Sequence, residues 1–160
     1  MSRRRSAAGL LLVLAVACGV RPTTIERTPV AGAILVPTDF GSSRVELTIQ
    51  PSYVLGSPAR IDVTLVATRG TLRGPVEARV MASGINEGGS PAEVLVRRLA
   101  ATPVMATAAQ RATTSVTWSG DDEFGARVPA DDYVLLLEFE LADGGAVRTV
   151  RATATLQMND

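Results

Sequence analysis

The chain has 160 residues, 16 arginines against 16 carboxylates, no lysine, no histidine and one cysteine. These absences remove histidine triads and histidine metal sites, Ser–Lys dyads, Schiff bases and the lysine of a phosphate-binding loop. A lone cysteine also removes intrachain disulfides and thiolate clusters, so the only acid–base chemistry left is that of carboxylates.

In chain order, residues 1–17 come first. Arg3, Arg4 and Arg5 precede the apolar run Leu10-Leu11-Leu12-Val13-Leu14-Ala15-Val16-Ala17. A positive start, a short apolar stretch and small residues before a cut make the layout of a secretory signal peptide. The run is too short for a membrane span, which takes about 20 residues. Cys18-Gly19 follows directly. Leu14-Ala15-Val16-Ala17-Cys18 resembles the lipobox of bacterial lipoproteins, with Ala15 where leucine is usual. The resemblance implies a lipidated Cys18 as the first residue of the mature chain. The other reading is an ordinary signal peptide cut nearby, with an unrelated thiol. Two or more acyl chains hold a protein stably at a bilayer, where one holds it marginally. Gly19 in place of aspartate resembles outer-membrane sorting in bacteria with two membranes.

Removing residues 1–17 leaves 143 residues with 13 arginines and 16 carboxylates, a net charge of −3. That is one domain's worth of chain, long enough for a core without disulfides. A mildly acidic chain without basic runs argues against nucleic acid as a partner.

Residues 18–43 read as a lipidated N-terminus and tether, with Pro22, Pro29 and Pro37 among threonine, glycine and serine. Ala33–Val36 is the one candidate strand there, at an edge. Residues 44–160 switch to period two. Val45/Leu47/Ile49, Ile61/Val63/Leu65, Val76/Ala78/Val80, Val94/Val96, Tyr133 through Leu141 and Val150 through Leu156 each alternate with polar residues, as strands with one buried face do. Residues 84–91 read as a loop, and Asp143-Gly144-Gly145 as a hairpin turn. Ala100–Ala112 is alanine-rich, but Pro103 and its threonines favour strand and loop over helix. The expected fold is an all-β, Ig-like antiparallel sandwich of about seven strands without a disulfide.

The segment between two of these strands is the most specific. Trp118 ends a strand, Gly120 and Gly125 permit left-handed turns, Pro129 marks a strand entrance, and Tyr133 opens the longest alternation. Tyr133 sits where Ig folds place a tyrosine corner. Trp118-x-Gly120-x-Asp122-x-x-Gly125-x-x-Val128-Pro129-Ala130-x-x-Tyr133 resembles two Ig-like families: the Ig-like domain of flagellar hook-capping proteins and a bacterial intracellular proteinase-inhibitor family. Ser119 stands where aspartate is usual, and Asp131 where glycine is usual. The resemblance covers residues 74–141 and implies an Ig-like fold.

Five acids cluster here: Asp121, Asp122, Glu123, Asp131 and Asp132. Asp121 and Asp122 are the candidate Ca²⁺ ligands. Their spacing is not that of an EF-hand, and bonds from aspartate to nearby backbone explain the cluster without metal. Glu138 and Glu140 share one strand face and read as a solvated face, not a catalytic pair. Arg97-Arg98 reads as surface, with partner binding as the alternative. The expectation is a non-enzymatic envelope lipoprotein without a cofactor, anchored in the membrane through Cys18 and bound to another envelope protein. The alternatives are a protease inhibitor, presenting residues 84–91 or 120–127, and a carbohydrate-binding or carboxylate-dependent enzyme domain.

Overall fold

The computed structural model describes residues 32–85, 89 and 91–160. Residues 1–31, which include the stretch read as a signal peptide and Cys18, lie outside the described residues, as do 86–88 and 90 of the expected 84–91 loop, whose ends Gly84, Ile85 and Pro91 belong to paired strands instead. Ten strands form two sheets packed face to face. The first sheet has the order β1 (Ile34–Asp39), β2 (Ser43–Ile49), β4 (Ala59–Ala67), β8 (Ala112–Trp118). The second runs β3 (Tyr53–Val54), β10 (Ala146–Asn159), β9 (Asp132–Asp143), β5 (Thr71–Ile85), β6 (Pro91–Arg98). The short β7 (Val104–Thr107) pairs with the first part of β5. The orders β2-β4-β8 and β10-β9-β5-β6 follow those of an immunoglobulin-like sandwich. All pairings are antiparallel except β3 with β10. The strands beyond the expected seven are β1, β3 and β7, each of six residues or fewer. Within Ala100–Ala112 the chain forms β7 and loop, not helix.

The period-two runs carry the core. Val45, Leu47, Ile61, Val63 and Leu65 from the first sheet meet Leu135, Leu137, Phe139, Ala152 and Leu156 from the second, all fully buried. β1 pairs with β2 from Ile34 to Asp39, so the sheet begins inside the segment that reads as a tether. Asp143↔Ala146 closes the β9–β10 hairpin, and Gly144 and Gly145 both take positive φ, as a two-residue type I′ loop requires.

Two valines depart from the alternation. Val76 is exposed because it lies in a bulge, where β5 advances four positions, Arg73 to Glu77, while β9 advances two, Glu140 to Glu138. Pro75 has no N–H for the ladder, which accounts for the break. Gly74 inside it lies so close to β9 that an added Cβ would stand 2.6 Å from the Phe139 ring. Val94 is 50% exposed although it pairs with Ala82, which packs against the core; next to this stretch a bulge in the β5–β6 pairing gives β6 an extra residue at Val96.

Candidate functional site

The turn joining β8 to β9 is the densest polar constellation among the described residues. Its base is aromatic. Trp118 is 1% exposed and packs edge-on against Tyr133, with ring centroids 5.0 Å apart at 70°. Each ring is also tied to the turn: the indole Nε1–H donates to the Asp121 carbonyl at 2.8 Å, and the Tyr133 hydroxyl donates to the Pro129 carbonyl at 2.9 Å. The second bond is the tyrosine-corner geometry expected at the start of this strand. Burial, and secondarily the negative charge of Asp131, push the Tyr133 pKa above that of a free phenol.

Above this base the chain doubles back. Asp122 N–H donates to the Ala126 carbonyl at 2.8 Å, and Val128 N–H to the Gly120 carbonyl at 3.1 Å. Asp122 organises the tip: one carboxylate oxygen accepts the N–H groups of Phe124 at 2.9 Å and Ala126 at 2.8 Å. Gly120 and Gly125 both adopt positive φ, the conformation their positions required.

The turn also leans on β6. Glu123 N–H donates to the Val96 carbonyl at 2.9 Å, and the Glu123 carboxylate accepts the Arg98 N–H. Arg97 lies 3.5 Å from the Asp121 carboxylate and also donates to the Asp122 carbonyl. The turn therefore covers the outer edge of β6 at Val96 and Arg98, satisfying backbone groups that an edge strand leaves open. The Arg97-Arg98 pair, which reads as plain surface in sequence, is the clasp of this arrangement. No local pattern announces it, because residues 97 and 121 meet only through tertiary pairing.

Four of the five acids are thus engaged by protein groups, and Asp132 is exposed. Asp121 faces Arg97, Asp122 and Glu123 accept backbone N–H groups, and Asp131 accepts the Asp132 N–H at 2.8 Å. No group of three or more His, Cys, Asp or Glu suited to a metal occurs among the described residues. The apex is apolar: Phe124 is 95% exposed and borders a cleft of about 620 Å³ with Leu95, Val96, Val128 and Pro129.

Glu138 and Glu140 lie on the outer face of the second sheet. Glu138 takes Arg79 and Arg151, both at 2.8 Å, and Glu140 takes Arg73 at 3.0 Å. The two are rungs of an ion-pair ladder across β5, β9 and β10. Of the six aromatic side chains, Trp118, Tyr53, Tyr133 and Phe139 are buried and Phe40 is partly buried against the core, so Phe124 stands alone instead of belonging to a stacking platform. Neither a protein family nor a curated protein matches the sequence.

Proposed function

We propose that the chain is an exported lipoprotein, held at a membrane by acyl chains on Cys18, whose sandwich is a non-enzymatic module that binds another envelope protein. The anchor part rests on the sequence around Cys18. The interaction part rests on one observation: Asp121, Asp122 and Glu123 are engaged by arginines and backbone, while Phe124, 95% exposed, projects from the tip they brace. An aromatic side chain has few torsions to fix on docking, and on a braced backbone it suits the centre of an interface. From Cys18, the chain up to Gly32 spans at most about 50 Å, so the module would work close to its membrane.

Exposure of Phe124 also favours the protease-inhibitor reading, but the tip is a tight turn. Gly125 N–H donates to the Asp122 carbonyl at 3.1 Å, leaving no extended stretch there to lie in a protease cleft.

The test uses a photoreactive phenylalanine analogue at position 124 of the full chain in membranes. A discrete crosslinked protein is expected, with the chain moving to the detergent phase only when Cys18 is intact. Equal aqueous partitioning of wild type and Cys18→Ser would defeat the anchor, and no adduct at position 124 would defeat the Phe124 interface.

A further inference from the structure

The second sheet has another edge, and it is built differently. β10 pairs with β9 without a register break from Ala146 to Gln157, while β3 covers only Met158 and Asn159. The direction of its backbone groups follows from two hydrogen bonds. Met158 N–H donates to the Asp131 carbonyl on the β9 side, and the Asn159 carbonyl accepts Leu55 N–H on the β3 side. Strand alternation then turns the N–H and C=O of Val147, Thr149, Arg151, Thr153, Thr155 and Gln157 outward. Among the described residues nothing pairs with them. The stretch has no proline and no bulge, the usual protections of an edge.

Its charge is one-signed. From Ala146 to Gln157 the only ionisable residues are Arg148 and Arg151, and both are exposed. Arg151 bonds Glu138, which it shares with Arg79, and Arg148 has no ion-pair partner among the described residues. Two arginines on the edge oppose pairing with a second copy in registers that bring them together and favour an acidic strand. Beside the C-terminal part of the edge, Ile34, Val36, Ile49 and Pro51 line a groove of about 580 Å³ that reaches Ala154 and Thr155.

We propose that this edge receives an extended, acidic segment of a partner protein as an added strand, in line with β3. Backbone hydrogen bonds would hold it, as in other cases of strand addition. Its acids would lie three residues apart, one opposite Arg148 and one opposite Arg151, on opposite faces of the strand. An apolar side chain near its end would enter the groove. The proposal rests on the interaction-module reading but not on Phe124 or on the anchor.

The test uses the full chain in detergent and two capped nonapeptides of valine and threonine, one with two glutamates three residues apart and one with lysines in their place. The glutamate peptide should slow amide exchange at Thr149, Arg151, Thr153 and Thr155, and should bind at least about tenfold more tightly than the lysine peptide. Thr153→Pro removes one outward N–H without touching the β9 ladder and should abolish the protection. Arg148→Glu, should Thr153→Pro fail to fold, must erase most of the preference between the peptides, because each then meets one attraction and one repulsion. Equal binding of both peptides, no protection by either, or protection that grows with protein concentration alone would overturn the proposal, the last by making a second copy the occupant. Loss of peptide binding with the position-124 crosslink intact would leave the module reading standing.

Discussion

The two edges of the six-stranded sheet end in opposite ways. At β6 a bulge breaks the register, and the β8–β9 turn lays Glu123 across Val96 and Arg98. At β10 twelve further residues run past the two-residue cover of β3 without a break. One sheet thus has an edge clasped by its own chain at Val96 and Arg98 and an edge that stays regular and basic. Edges left in this state are hazards unless something covers them. The difference separates residues that maintain the fold from residues available to a partner.

The largest effect should come from the anchor of the closed edge. Trp118→Ala should cost about 3–5 kcal/mol, because it removes a large buried ring and the bond to Asp121. Phe124→Ala, a few residues away on the same turn, should change stability by no more than about 0.5 kcal/mol. Denaturant melts of both variants check the contrast, and similar costs would place Phe124 in the core of the turn. Proline scanning sharpens the comparison at the other edge. Ala154→Pro removes a ladder bond to β9 and should cost on the order of 3 kcal/mol, whereas Thr153→Pro should cost less than about 1 kcal/mol. Equal costs would mean that both faces of β10 are bonded.

Much of this fold is legible in the sequence because burial on one face writes period two into the chain. Val45–Ile49, Ile61–Leu65 and Tyr133–Leu141 are read correctly for that reason. Val76 misleads because it sits inside a bulge that composition does not announce, and Val94 because it pairs with Ala82 and yet stays half exposed. In the turn, Trp118, Gly120, Gly125, Pro129 and Tyr133 are legible because each meets a local backbone demand. The Arg97–Asp121 clasp and the open side of β10 are not, since both depend on which strands end up adjacent.

Smaller effects probe the brace itself. Asp122→Ala frees two backbone N–H groups at an exposed tip and should cost about 1 kcal/mol, while loosening Glu123 from β6. Faster exchange of the Arg98 amide would report the loosening, and unchanged exchange would show that the clasp holds without Asp122. High pH gives the gentlest perturbation. Tyr133 and Tyr53 both have raised pKa values, chiefly from burial. Each holds its proton more tightly folded than unfolded, so their contribution is complete below about pH 10 and is lost as pH rises through the folded values. Tyr133→Phe should lower stability by about 1 kcal/mol at neutral pH and flatten part of this alkaline slope. A slope unchanged in this variant would assign the effect to Tyr53.

Residue-resolved amide exchange on the full chain tests the closed-and-open account most directly. The account predicts slow exchange at Arg98 and Glu123, and an alternation along β10 in which Ala152, Ala154 and Leu156 are slow while Thr149, Arg151, Thr153 and Thr155 are fast. Uniform protection along β10, or an Arg98 amide that exchanges as freely as Thr153, would contradict it.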